Sequence, residues 1–226
     1  MTPDAETLKD GSRVLVRPVA AQDADRLREA FRRLSPASRY RRFHAPMANL
    51  PGPLLRYLTQ VDHRDHEALV GVTADGEDIV GVARFVRHRD DPAAAEVAVT
   101  VLDDWQGRGL GRLLLERLAD RAREEDVRRF TALVQPENEQ AADLLARLGP
   151  VRRAPRDATV QLDIELAPVE LDFELPEAGL GARLDGALRG AARSLLSAPW
   201  YPRRLLELLD AVAHPSPGPL LRRLRD

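Results

Sequence analysis

Residues 103–120 read DDWQGRGLGRLLLERLAD, and the passage through Gly107, Gly109 and Gly111 into a leucine-rich run decides the fold. Upstream, AEVAVTVL at 95–102 is a short apolar run rich in β-branched residues, which predicts a strand. Downstream, GRLLLERLADRAREED is an amphipathic helix with leucines at 113, 114, 115 and 118, and RRFTALVQ at 128–135 is a further strand. Strand, glycine loop, helix and strand make one right-handed parallel crossover. The first N–H groups of a helix lack intrahelical partners and the macrodipole favours negative charge there. QGRGLG at 106–111 is therefore either a plain turn or a cradle for a pyrophosphate, with Arg108 and Arg112 adding positive charge. It is not the dinucleotide fingerprint, whose third glycine is missing, nor a Walker loop, since no Gly-Lys-Ser/Thr follows.

Working outward, RVLVRP at 13–18 predicts a first strand. AQDADRLREAFRRLSP predicts a helix with acids early and arginines late, ended by Pro36. SPASRYRRF is a second helical piece, and PLLRYLTQV a third. HEALVGVT at 66–73 and DIVGVARFVR at 78–87 are strands joined through Asp75-Gly76, a hairpin signal. NEQAADLLARLG is a helix stopped by Gly149 and Pro150, and ATVQLDIEL at 158–166 alternates as a closing strand. The result is an α/β domain whose mixed sheet is mostly antiparallel, with one parallel βαβ crossover. Residues 1–12 are expected to be a tail and 13–167 the domain. Residues 168–226 are expected to form an extension of one strand and two amphipathic helices, suited to packing or to a homodimer contact.

The composition excludes several classes. Of 226 residues, 44% are hydrophobic and 31% charged, an ordinary soluble profile, and the net charge of -2 gives no drive toward nucleic acid or an anionic membrane. No leader and no apolar run of about 20 residues is seen, so the expected location is cytoplasmic. With no cysteine, disulfides, thiolate metal sites and a cysteine nucleophile are ruled out. Lys9 is the only lysine among 34 basic residues, a bias of the kind a GC-rich genome produces.

With these elements in place, Gln106-x-x-Gly109-x-Gly111 between strand and helix resembles the pyrophosphate motif of the GNAT acyl-CoA-dependent N-acetyltransferases. Asn138, with Ala141 and Leu148-Gly149, resembles that family's next helix, where an asparagine contacts the cofactor. LKDGSRVLVRP, LSPASRYRRF, LTQVDHRDHEALVGV, IVGVAR and AEVAVTVLDDWQGRGLG together look like the acetyltransferase domain of the Pat-type bacterial protein lysine acetyltransferases, which switch off acyl-CoA synthetases. The resemblance implies acetyl-CoA as co-substrate, with cofactor contacts from Ala98, Val99 and Thr100 on the strand. It also implies contacts from Gln106, Gly107, Arg108, Gly109, Leu110, Gly111 and Arg112 in the loop, and from Asn138. It implies a glutamate base on the preceding strand, here Glu96, and an acceptor side that includes Arg39 and Tyr40. Other Pat-type chains join this domain to a cyclic-nucleotide-binding or acyl-CoA-synthetase-like domain. With about a dozen residues before the first strand, none is expected here.

Chemistry points to Glu96 separately. A lysine ammonium, with a pKa near 10.4, must lose a proton before its nitrogen can attack a thioester. A carboxylate on an otherwise apolar strand is desolvated toward a useful base. Alternation puts Glu96, Ala98 and Thr100 on one face and Val97, Val99 and Val101 on the other. The family's tyrosine general acid is replaced by Leu145, and Pro150 replaces the aromatic that follows Leu-Gly. VDHRDH at 61–66 lacks a third cluster for a metal, so none is expected, and Asp103-Asp104 is expected to cap the turn before Trp105. The expected activity is acetyl transfer to an amine, a protein lysine first. The alternatives are a small-molecule amine, favoured by an acidic pocket, and a non-catalytic acyl-CoA sensor.

Overall fold

A pair of glycines facing each other across two central strands sets the architecture. The computed structural model describes residues 5–167, and the strand and helices expected across 168–226, with any dimer contact through them, lie outside the described residues. Strand β3 (His66–Thr73) pairs antiparallel with β4 (Ile79–Arg87) so that Gly71 lies opposite Gly81, with the turn at Asp75-Gly76 between them as expected. Without Cβ atoms the two glycines form a trough. Leu110 and Leu114 of helix α4 (Leu110–Glu124) fill it, because a Cβ at either glycine would stand 2.9 Å from a leucine methyl. Leu114, Leu115 and Leu118 are fully buried there.

Strand β5 (Ala94–Val101) lies on the other side of β4, and α4 crosses from it to the parallel β6 (Arg129–Val134). Before β3 come β2 (Arg13–Pro18) and helices α1 (Ala24–Arg33), α2 (Pro36–Phe43) and α3 (Gly52–Thr59). After β6 come α5 (Glu139–Ala146) and a hairpin of β7 (Val151–Arg156) and β8 (Thr159–Glu165). With a short β1 (Ala5–Thr7) the sheet has eight strands, ordered β1-β2-β3-β4-β5-β6-β8-β7. Every pairing is antiparallel except β5 with β6.

The chain departs from expectation in four places. Residues 5–7 are not tail but a strand on β2, and Leu8 is buried behind it. Pro36 opens α2 rather than ending α1. It sits in the first turn with Ser35 as N-cap, and proline pushes the residue before it out of the helical region, so α1 stops at Arg33. Asp103 does not cap its own turn. Its carboxylate accepts from the Ser35 amide (2.9 Å), the Ser35 hydroxyl (2.8 Å) and the Ser38 hydroxyl (2.7 Å), capping α2 instead. The hairpin β7–β8 adds a strand the sequence did not advertise, with Pro155 on the sheet edge where its missing N–H is harmless.

Gly149 closes the α5–β7 corner, where a Cβ would lie 1.9 Å from the carbonyl oxygen of Glu165. Backbone cannot yield as a leucine methyl can. Gly149→Ala should therefore cost roughly 3 kcal/mol or more and Gly81→Ala about 1–3 kcal/mol. Urea unfolding ranks the two, and a Gly149 variant no weaker than the Gly81 variant would contradict the packing.

Candidate active site

The parallel ladder between β5 and β6 runs for three pairs, Ala94↔Arg129, Ala95↔Phe130 and Glu96↔Thr131. Past Glu96, β5 stays with β4 as far as Gly81↔Val101, while β6 stays with β8 as far as Val134↔Val160. The strands part, and among the described residues the β6-facing edge of Val97–Val101 has no strand partner. Such an edge takes an extended ligand through its backbone. Ala98, Val99 and Thr100 lie along it, and Glu96 stands at its apex.

Glu96 shares its face with Ala98 and Thr100, as alternation requires, while Val97 turns into the core. The half-buried carboxyl is pushed up to about 7 by burial, and the Arg42 guanidinium on α2 opposes the shift. On this face α1, α2 and α3 cover β4 and β5 to form a cleft that opens to solvent. Its walls are mostly apolar, with Leu27, Phe31, Phe43, Leu58 and Val82, and two guanidiniums, Arg42 and Arg84, line it as well.

Arg84 is 5% exposed. It donates to the Leu58 carbonyl (2.9 Å) in the last turn of α3, where the helix dipole favours a cation, and to His66 Nε2 (2.9 Å). Burial, then the neighbouring Arg42, lowers Arg84 to about 9, and burial with Arg84 alongside lowers His66 to about 3, so this imidazole is a neutral acceptor. His44 ends α2 in the left-handed region (φ 49°) and hydrogen-bonds the backbone of Leu133, tying α2 to β6 across the diverging strands. Its pKa is lowered, by burial first and Arg42 second.

At the far end of β5 the glycine loop carries left-handed backbone at Gly107 (φ 76°) and Gly109 (φ 98°), and α4 begins at Leu110. Among the described residues the amides of 107–112 reach no protein acceptor, the first engaged one being Leu113 on Gly109 O (3.1 Å). The other loop residues are anchored. Gln106 Nε2 donates to Val101 O (3.1 Å), and a Cβ on Gly111 would press on Leu144 of α5 (3.1 Å), so this glycine serves helix packing too. Arg108 is held by Asp10 (3.0 Å), by the Asp104 carbonyl (2.6 Å) and over the Trp105 ring (4.8 Å), while Arg112 pairs with Glu116 (2.7 Å). Asn138 caps α5, its side chain accepting from Ala141 N (3.3 Å).

Neither expected acceptor residue lines this cleft, and Glu96 stands beside it, on the strand face whose Ala98 and Thr100 do. Arg39 reaches the Arg32 carbonyl (2.8 Å) and covers Phe31, and Tyr40 points outward, 49% exposed. The arginine that does line the cleft is Arg42, whose place in RYRRF the sequence did not single out. Leu145, where the family has its tyrosine, is buried core. In VDHRDH, Asp62 accepts three backbone amides, Asp65 pairs with Arg87 (2.7 Å), and His63 lies on the buried Glu67 (2.8 Å). No helix among the described residues is long and apolar enough to cross a membrane.

A sheet that splits beside a half-buried carboxyl, with a glycine loop at the far end of the split strand, suits an acyl-CoA-dependent transferase. Comparison with known proteins agrees, since the model of the Acetyltransferase (GNAT) family matches residues 26–149. The chain belongs to that family; it has the GNAT fold and is an N-acetyltransferase with acetyl-CoA as co-substrate. Among its relatives are the acetyltransferase PA5475 of Pseudomonas aeruginosa, 34% identical over 157 residues (68% of this chain, 84% of that protein), and the acetyltransferase Pat of Mycolicibacterium smegmatis, 33% identical over 199 residues. The latter match takes in 88% of this chain but spans only 57% of Pat. The crystal structure of the GNAT domain of S. lividans PAT superposes with a TM-score of 0.67 at 33% identity, over 73% of this chain and 97% of that one.

Burial of Glu96 has a signature in stability. Unfolded, the carboxyl titrates near 4.5; folded, near 7. The folded state holds the proton more tightly between these values, so this group's contribution to stability falls as pH rises through that window. Glu96→Gln removes the penalty. The variant should gain on wild type by up to about 3 kcal/mol in urea unfolding between pH 5 and pH 8. A difference independent of pH would mean the carboxyl is solvated.

Proposed function

We propose that the protein moves the acetyl group of acetyl-CoA directly onto the side-chain amine of a protein lysine, such as one on an acyl-CoA synthetase, within a ternary complex. The carrying observation is the position of Glu96, at the last paired residue before the strands part and with its proton affinity raised to about 7. In this reading the pantetheine arm runs along the free edge of Ala98–Thr100 as an added strand, and the phosphates sit on the amides of 107–112 at the start of α4. Glu96 takes one proton from the acceptor ammonium. The freed nitrogen attacks the thioester carbonyl, whose developing negative charge is met by a backbone N–H of the same edge. The C–S bond then breaks, the nitrogen gives up its second surplus proton to solvent, and CoA leaves as thiolate, to be protonated by water because Leu145 has no proton to give.

The chemistry of the cleft favours this acceptor over a polyamine. Arg42 and Arg84 line it, and their positive charge repels a second cationic group but tolerates a single amine presented beside apolar side chains. The same positive charge disfavours the ammonium form of the acceptor and so eases its deprotonation. Support for a protein acceptor comes from the likeness to Pat of M. smegmatis and to the PAT domain of S. lividans.

With labelled acetyl-CoA and an acyl-CoA synthetase, mass mapping should find one acetylated lysine. Label appearing on a polyamine but on no protein would reverse the choice of acceptor. Glu96→Gln should lower kcat about 100- to 1000-fold with acetyl-CoA affinity retained. For wild type, kcat/KM should rise with pH through about 7 as Glu96 deprotonates. Arg42→Gln removes a charge that favours the carboxylate, so that limb should move to higher pH. A limb that stays in place would separate Arg42 from the base.

A further inference from the structure

We infer that Lys9, on the turn between β1 and β2, is a phosphate ligand for the cofactor, supplied by a segment outside the strand–loop–helix motif. The inference rests on the reading of residues 107–112 as the phosphate cradle. The Lys9 amide donates to Arg108 O (3.1 Å), which fixes the turn against the glycine loop. The lysine stem then lies flat over Gly109, with its Cγ, Cδ and Cε atoms 3.5–3.7 Å from where a Cβ would be. The ammonium lies one bond beyond this contact with Gly109, the residue before α4, whose loop amides at 107–112 reach no protein acceptor.

Three cations belong to this corner, and two are engaged. Arg108 is locked by Asp10, a backbone carbonyl and Trp105, and Arg112 by Glu116. The Lys9 ammonium has no hydrogen bond or ion pair among the described residues, although Asp10 is its neighbour in sequence. Asp10 instead binds Ser12 and Arg108, which leaves Lys9 to solvent or to an anion. The residue type is informative as well. A chain that uses arginine at every other basic position keeps its one lysine here. A compact, rotatable ammonium can serve neighbouring phosphate oxygens that a planar guanidinium addresses in one orientation only.

The chemistry recognised is an anionic phosphate, and acetyl-CoA offers two sources, the pyrophosphate and the ribose 3′-phosphate. The test measures acetyl-CoA affinity by calorimetry for wild type, Lys9→Ala and Lys9→Arg at low and high salt, and repeats it with the 3′-dephospho cofactor. Lys9→Ala should weaken acetyl-CoA about tenfold at low salt, flatten the salt dependence and leave kcat at saturating cofactor unchanged, with Lys9→Arg recovering part of the loss. A loss that disappears with the dephospho cofactor assigns Lys9 to the 3′-phosphate, and one that persists assigns it to the pyrophosphate. Gly107→Val, with thermal unfolding as a check on its fold, separates the two claims, since its left-handed φ belongs to the cradle itself. Unchanged affinity in Lys9→Ala with weakened binding in Gly107→Val overturns the role of Lys9, and unchanged affinity in both overturns the cradle.

Discussion

The three-residue parallel ladder between β5 and β6 is the constraint on which the site depends. Were it longer, the edge of Val97–Val101 would be consumed by protein hydrogen bonds and nothing extended could join β5. Were it absent, the two halves of the sheet, β1–β5 and β6–β8–β7, would share no strand pairing. Ending it at Glu96↔Thr131 places the carboxyl where backbone donors become available, with protein on most sides and one arginine in view. Position and proton affinity thus share a cause. The neighbouring Thr131 hydroxyl is held by His88 (2.9 Å), so the apex is polar but satisfied.

The far end of the split strand is fixed by other means. The trough of Gly71 and Gly81 seats the first turns of α4 by shape, and Asp103 ties the turn before the glycine loop to α2. A second anchor holds α4 further along. Glu67, 1% exposed on β3, accepts from the Ala68 amide (2.8 Å) and faces Arg121 (3.5 Å). A carboxylate that deep requires such partners, because desolvation without them costs several kcal/mol. The helix-covered face of β4 and β5 and the glycine loop are therefore mechanically joined through one short turn.

Much of this was legible in the chain. Regular periodicity over AEVAVTVL, GRLLLERLADRAREED and the 66–87 hairpin reported local preference and burial together, and those elements stand within a residue or two of where the pattern put them. Glu96 was legible because one carboxylate interrupts an apolar strand. The losses have physical reasons. Ala5–Thr7 is too short to show a period, and Val151–Arg156 is an exposed edge with a proline, so burial never patterned it. Arg84 and Arg42 read as polar interruptions, since a guanidinium meets the Leu58 carbonyl or Glu96 only after distant elements pack. Asp103 looked local because its partners lie 65 and 68 residues away.

The solitary lysine has a consequence beyond cofactor binding. An enzyme that acetylates lysine is, at its own concentration, the first protein its charged donor meets, and ordinary chains offer many amines to label. Here solubility rests on arginine, whose guanidinium does not lose its proton and cannot attack a thioester. The one exception stands against Gly109, the residue before α4. The chain is in this sense written in an alphabet that its own proposed chemistry scarcely reads.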